Sequence, residues 1–305
     1  MKLLALKKYN LKVNHRELRD LNNENHSKLF RELQDLVDQK HESIAITAGG
    51  STMNSIRATR VWQMEHFADS RIKFHTMGGV GQDAYAESLE ELDEKLGIKS
   101  HLKRGDEKLP TGSVAVVVVE GQRTMTTDLF AAWAFTSTQK EVMAVLEDQN
   151  VERVSSPLGS KVIQVSKSNP LSSLKYVMSG AYYANANGFK DVLDCSKENP
   201  LPFVLVFSLS ECFCCSHPNT IEAVPKSEII FGRVEEGIAF CIAMGDLPED
   251  ATIENTNPQT VAKKIACIKS PPGGPPQRWV VLTSGADPVV VAVDKFDGKE
   301  PGVAT

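Results

Sequence analysis

The stretch Ala48-Gly49-Gly50-Ser51-Thr52-Met53-Asn54-Ser55-Ile56-Arg57 sets two adjacent glycines between two segments of different apolar period. Before it, residues 43–47 alternate, with Ile44 and Ile46 on one side, the period of a short strand. After it, a helix is expected through residues 56–67, with Ile56, Thr59 and Trp62 turned inward. Paired glycines where a strand ends let backbone amides approach a ligand that a Cβ would push away. In an open parallel sheet that edge is also where ligands settle. Asn54 can both donate and accept hydrogen bonds there. Taken alone, the stretch reads equally as a plain strand-to-helix turn capped by Ser51 or Thr52.

The same grammar repeats outward. Upstream, Leu29, Phe30, Leu33, Leu36 and Val37 recur at helical spacing, in a region of 48 residues free of glycine and proline. Downstream, residues 72–76 predict a strand and Gly78-Gly79-Val80-Gly81 a turn. A helix over 84–96 follows, buried through Tyr85, Leu89, Leu92 and Leu96. The β-branched run 113–120, a turn at Gly121-Gln122 and a strand from Arg123 predict a hairpin. Later strands are expected at 174–178, 203–207, 228–231, 278–283 and 289–293, and helices at 235–244 and 258–269. Apolar strands alternating with amphipathic helices imply an α/β fold with a mostly parallel sheet covered on both faces. A small β excursion spans about residues 107–136. The proline-rich loop 271–276 lies too close to its flanking strands to mark a domain boundary.

Composition narrows the class. The 305 residues carry 34 basic and 39 acidic side chains, net −5, with no basic block, so neither nucleic acid nor a membrane surface is expected as partner. No run is apolar enough for a membrane span, and the first residues lack the features of a secretory signal. Six cysteines in so long a chain do not make a disulfide framework. Cys212, Cys214 and Cys215, with His217, could suggest a metal, but one tight cluster without a distant second pair cannot readily wrap a tetrahedral ion. Buried or strand-end thiols are the expectation.

Two further signals are weak in isolation. Gly79-Val80-Gly81-Gln82-Asp83-Ala84 matches G-x-G-x-x-A of dinucleotide sites, yet the acidic residue expected about 20 positions on has no strand to end. Arg123 could clamp a phosphoryl group from a lid, or could be an ordinary solvated charge.

In combination and in this order, these features resemble the adenosine kinase branch of the ribokinase-like (PfkB) sugar and nucleoside kinases. Residues 48–57 are similar to A-G-G-S-T-Q-N-S-I-K, with Met53 for Gln, and residues 79–87 resemble G-x-I-G-x-D-x-F-G-E. Lys7-Lys8-Tyr9-Asn10-Leu11-Lys12 resembles K-K-Y-x-L-K, and Ser208-Leu209-Ser210-Glu211-Cys212-Phe213 resembles N-L-S-A-P-F. The resemblance implies transfer of the γ-phosphoryl of ATP to the 5′-hydroxyl of adenosine. It assigns Gly49, Gly50 and Asn54 to the ribose and Arg123 to the phosphoryl group. Met125, Thr127 and Leu129 on the lid, with Tyr182 and Phe213, fall to the adenine. Thr283 and Gly285 are assigned to ATP, and Glu236, the Glu of N-x-x-E, to Mg²⁺ through water. It further implies one kinase domain over 1–305, with a lid from about 1–25 and 107–136, acting as a monomer in the cytoplasm or, alternatively, the nucleus.

Several parts of the family pattern have no counterpart. The family's opening G-N-P-L-L-D and its catalytic D-T-x-G-A-G-D are not matched, and Asp297-Gly298 does not replace the latter. Arg233, Ser208 and Ala286 stand where the family has Asn, Asn and Arg. A general base is worth about 10²–10⁴ in rate and an anion hole about 10²–10³ per donor. The expectation is therefore an incomplete kinase that turns over slowly or not at all. The alternative is a nucleoside-binding or interaction protein that kept the fold without the chemistry.

Overall fold

The computed structural model describes residues 8, 9, 11, 16–18, 24–42, 44–67, 72–105, 108–119, 122–147, 175–185, 190, 192–193, 203–272, 274–294 and 302–304. The chain divides into two compact units. The N-terminal unit comprises Met1–Arg60 and Thr76–Phe135, and the C-terminal unit Val61–His75 and Thr136–Thr305.

The N-terminal unit holds β1 (Arg16–Leu18), α1 (Glu24–Asp38), the start of α2 (Ser51–His66), β2 (His75–Val80) and α3 (Ala84–Lys95). It continues through β3 (Lys99–Arg104), β4 (Ser113–Val119), β5 (Gln122–Asp128) and α4 (Phe130–Ala134). The expected hairpin is present: β4 and β5 pair antiparallel from Ser113↔Asp128 to Val119↔Gln122, and β1 adds parallel to β5. One face of this three-stranded sheet carries Ala115, Val117, Thr124 and Thr126. Ala115 and Val117 pack in a cluster with Tyr9, Leu11, Leu29, Phe30 and Leu33, which uses the apolar stripe read from α1.

Four local expectations fail. Residues 43–47 form no strand where they are described, and Ile46 is 58% exposed; no neighbouring strand pairs with them among the described residues. Gly78-Gly79 is not a turn but the middle of β2, which starts later than expected and pairs with the unforeseen, polar β3. The inner positions of α2 are Arg57 and Gln63, whereas Thr59 and Trp62 are exposed, because this face meets polar groups rather than an apolar core. Likewise α3 buries Ala86 and Asp93, with Leu89, Leu92 and Leu96 half-buried and Tyr85 exposed.

The C-terminal unit holds α5 (Gln139–Glu147), β6 (Tyr176–Gly180), α6 (Ala181–Asn185), β7 (Val204–Ser208), a 3₁₀ turn (Cys212–Cys214) and α7 (Pro218–Lys226). β8 (Ile229–Arg233), α8 (Val234–Ala243), α9 (Pro258–Ala266), β9 (Arg278–Ser284), β10 (Asp287–Asp294) and β11 (Gly302–Ala304) follow. The sheet order is β11-β10-β9-β8-β7-β6, with β6 to β9 parallel and β10 and β11 antiparallel. Phe207, Ile230, Val280 and Leu282 of its central strands are fully buried, as two-sided coverage requires. The strand and helix expectations after residue 174 are met within a few residues.

Arg278, at the start of β9, is also fully buried. Its Nε donates to Ser227 O (3.2 Å) and its Nη2 to Pro225 O (2.7 Å) and Ser270 Oγ (3.2 Å). Its Nη1 donates to Ala266 O (3.2 Å) and Ile268 O. All five N–H groups are thereby used. The acceptors lie at the C-terminal ends of α7 and α9, where carbonyls lack intrahelical partners and a cation complements both helix dipoles. Burial pulls this guanidinium down to about 10, against Asp294, which leaves it charged at neutral pH. Arg278→Met is expected to cost about 3–5 kcal/mol in urea unfolding by stranding these carbonyls. Arg278→Lys, with three donors, should recover only part of that.

Candidate functional site

Residues 44–50 run without regular structure into α2, and Gly50 turns the corner at φ +87°. A Cβ on Gly49 would meet nothing within 4 Å, so that glycine answers no packing need and leaves the backbone open to approach. In the first turn of α2, the Asn54 amide donates to Gly50 O at 2.8 Å and its Nδ2 to Ala48 O at 3.3 Å. Arg57, one turn on, donates through Nη1 to Gly49 O (3.3 Å) and to Asn54 Oδ1 (3.1 Å). Its Nε meets Asp93 Oδ1 at 2.7 Å, and Asp93 Oδ2 accepts from Thr76 Oγ1 (2.8 Å) and Ser100 Oγ (2.7 Å). Asp93 is fully buried and Arg57 nearly so. A buried ion pair thus ties the glycine loop to α3, β2 and β3. Sequence reading missed both partners. Arg57 follows Asn54 at i+3, which was a usable signal, but Asp93 sits in an acidic run and reads as solvated.

The second glycine motif is built for packing. A Cβ on Gly79 would fall 2.2 Å from Ala131 O, and one on Gly81 2.5 Å from Thr111 N. Asp83 caps α3 by accepting from the Ala86 amide (3.0 Å), and it also accepts from the Thr111 hydroxyl (2.6 Å) and amide (2.7 Å). The Thr111 hydroxyl in turn accepts from the Gly81 amide at 2.9 Å. The motif therefore pins the segment leading into β4, and its likeness to a dinucleotide fingerprint is accounted for without a ligand. Burial alone would raise the Asp83 carboxyl, but the hydrogen bonds from Thr111, Ala86 and Tyr85 outweigh it and hold the group below its usual value.

On the hairpin, cross-strand register puts Arg123, Met125 and Thr127 on one face with Val118, Val116 and Val114, opposite the face packed on α1. Arg123 is exposed, Met125 half-buried and Thr127 buried. Leu129 lies beyond β5, at the N-cap of α4, and so does not share that strand face.

In the C-terminal unit the remaining positions gather at the C-terminal edge of the parallel strands, the usual ligand edge of such a sheet. After β6, the Tyr182 ring meets the Phe213 ring edge-on, with centroids 5.7 Å apart. After β7, Ser210 adopts φ +65°, and its hydroxyl accepts from the Ala181 amide (3.1 Å) while donating to Ser208 O (3.2 Å). At the end of β9, Gly285 (φ +55°) turns the chain into β10, and the Thr283 hydroxyl lies 3.5 Å from Gly232 O. An open cleft of about 600 Å³ is lined in part by Val234, Asn257, Ser284 and Asp287.

At the end of β8, Arg233 caps α8. Its amide donates to Glu236 Oε2 (2.9 Å) and its Nε to Glu236 Oε1 (2.8 Å), while Nη2 reaches Glu211 Oε2 at 3.1 Å. Both oxygens of Glu236 are thus engaged by one cationic residue. The residues present do not fit a carboxylate that organises Mg²⁺ through water. The cysteines serve packing: Cys214 and Cys215 are fully buried, and the Cys215 thiol donates to Glu211 O and Glu236 O, each at 3.3 Å. Burial raises the Cys212 and Cys215 thiols and pushes Cys241 up to about 12. His217 caps α7, its Nδ1 accepting from the Asn219 amide at 3.2 Å.

A glycine-opened loop, a β hairpin and a parallel sheet with its site residues at one edge are the parts of a ribokinase-like sugar or nucleoside kinase. The chain belongs to the pfkB family of carbohydrate kinases, whose sequence model matches residues 29–205. Adenosine kinase 2 of Arabidopsis thaliana is 25% identical over 298 residues, covering 97% of this chain and 74% of the relative. Adenosine kinase of Saccharomyces cerevisiae is 25% identical over 301 residues, with the same coverage. Among solved structures, Anopheles gambiae adenosine kinase in complex with P1,P4-di(adenosine-5) tetraphosphate superposes with a TM-score of 0.73. It is 23% identical, and the match covers all of this chain and 77% of that one. Schistosoma mansoni adenosine kinase in complex with 2-fluoroadenosine gives 0.71 at 22% identity, covering 98% and 74%. The fold is ribokinase-like.

The Asp83 contacts make an acid-sensitive contribution. A carboxyl held low in the fold stabilises it fully above the unfolded value near 4, and the effect is lost as pH falls through the folded value. Asp83→Ala is expected to lose about 1–2 kcal/mol at neutral pH. Urea melts should show that deficit shrinking as pH falls below the unfolded value of about 4.

Proposed function

We propose that this chain is an adenosine-kinase-like phosphotransferase that binds adenosine and ATP and transfers the γ-phosphoryl group slowly. The observation that carries the reading is the exposed Gly49-Gly50 loop, with Asn54 held through Arg57 to the buried Asp93. A ribose recognised by hydroxyl hydrogen bonds needs donors and acceptors fixed before it arrives, since ordering them on binding costs affinity. With Oδ1 already committed to Arg57, Asn54 has an N–H left to offer a ribose oxygen.

Within the N-terminal unit, Gly49, Gly50 and Asn54 are assigned to the ribose, Met125, Thr127 and Leu129 to the base, and Arg123 to the phosphoryl group. Within the C-terminal unit, Tyr182 and Phe213 are assigned to the base and Thr283 and Gly285 to ATP. The cleft beside Ser284 is of a size suited to a nucleotide. The 305 residues act in this reading as one kinase domain and a monomer, with residues about 1–25 and 107–136 forming the lid. Among the described residues, no helix is long and apolar enough to cross a membrane. A cytoplasmic role in purine salvage is part of the proposal.

Slow turnover is argued from Arg233, which engages the carboxylate that the family turns toward its metal. The same contact favours a second reading, a nucleoside-binding protein without turnover.

Saturating adenosine is expected to raise the thermal midpoint of the 305-residue protein by a few degrees, as binding to the native state alone requires. Asn54→Ala should remove most of that rise. AMP formation from adenosine and ATP should run at least about 10²-fold below that of a family member whose corresponding carboxylate is not held by an arginine. A midpoint that adenosine leaves unmoved would sink the nucleoside reading. Robust AMP formation would sink the claim of slow turnover, and a midpoint rise with no detectable AMP would favour the second reading.

A further inference from the structure

Glu211 and Glu236 are two carboxylates withdrawn from water at the edge of the parallel sheet, 6% and 3% exposed. Buried carboxylates require a compensating charge. Arg233 supplies it from within the chain, with Nε on Glu236 at 2.8 Å and Nη2 on Glu211 at 3.1 Å. Its own amide occupies the other Glu236 oxygen at 2.9 Å, so position and charge are fixed together by the capping of α8. A divalent ion organised by these carboxylates would stand against a guanidinium that cannot be neutralised by losing a proton. The other acidic group of this helix start, Glu235, lies beside them on α8. The two bonds to Glu211 and Glu236 use two of five guanidinium N–H groups, and the Arg233 side chain is 47% exposed. Three donors are left for solvent or for an anion, beside the first turn of α8, where backbone amides also favour negative charge.

We infer that Arg233, clamped between Glu211 and Glu236, is a tethered cation standing in for a divalent metal, and that this edge takes the polyphosphate of a nucleoside triphosphate with no metal ion at those carboxylates. The choice of a nucleoside triphosphate rests on the phosphotransferase reading above, whereas the exclusion of the metal rests on the ion triad alone.

The test uses the 305-residue protein in two measurements. Mn²⁺ is titrated and its free fraction followed by electron paramagnetic resonance, for the parent, Arg233→Asn, Arg233→Lys and Arg233→Asn/Glu236→Gln. The parent and Arg233→Lys are expected to take up no Mn²⁺ below millimolar concentration. Arg233→Asn should gain at least about tenfold in affinity, because one unit charge is removed beside the ion, and the added Glu236→Gln should erase the gain. If Arg233→Asn does not melt cooperatively, Arg233→Gln takes its place. Thermal midpoints are then compared with ATP plus EDTA and ATP plus Mg²⁺, and equal rises are expected. Parent Mn²⁺ binding within threefold of Arg233→Asn, or no gain in that variant, overturns the inference. So does an ATP effect that needs Mg²⁺, or the absence of any ATP effect. Failure of the adenosine kinase reading would register separately, as a midpoint that adenosine leaves unmoved while the Mn²⁺ comparison stands.

Discussion

A guanidinium withdrawn from water must find acceptors for its N–H groups: Arg278 finds them for all five, whereas Arg57 finds them for Nε and Nη1 and keeps a buried Nη2 with no acceptor among the described residues. In the C-terminal unit, Arg278 gathers the carbonyl ends of α7 and α9 onto the first residue of β9. Those helices then cover the sheet whose far edge carries the candidate site. In the N-terminal unit, Arg57 reaches from α2 to Asp93 and from there to hydroxyls on β2 and β3. The loop that exposes Gly49 and Gly50 hangs from the same side chain. Gly49 and Gly50 are surface features, but their geometry is set by buried charge one residue layer below.

That arrangement explains which parts of the structure were legible in the sequence. The parallel strands announced themselves because two-sided burial demands apolar β-branched runs, as in residues 204–207 and 279–282. The helix starting at Glu24 was equally clear, since Leu29 and its neighbours meet an apolar sheet face. Errors came where burial is polar. Arg57, Gln63 and Asp93 are inner residues that any hydropathy pattern assigns to solvent, so the faces of α2 and α3 were misplaced. β3 escaped notice because Lys99–Arg104 belongs to a two-stranded sheet with little apolar surface to cover.

The candidate site divides along a similar line. Gly49, Gly50 and Asn54 could be picked out by type and position, because backbone approach restricts the choice, and Gly285 through the family resemblance. Their supporting partners could not, since Glu211 lies 22 residues from Arg233 and Asp93 lies 36 from Arg57. The pattern G-V-G-Q-D shows the opposite hazard. A string that suggests a dinucleotide loop is satisfied here by Ala131, Thr111 and Pro110 pressing against the two glycines. The spacing reports close backbone approach, and only the neighbours say whether the approaching group is a phosphate or the protein itself.

One modest element has a wider effect. β11, only Gly302–Ala304, pairs antiparallel with Val291–Val293 of β10. Without it, β10 would present a long row of unpaired amides and carbonyls beside a run of valines, a ready template for another chain. The three residues of β11 cover the Val291–Val293 part of that row. Over that part the valine ladder is closed to strand addition by another chain.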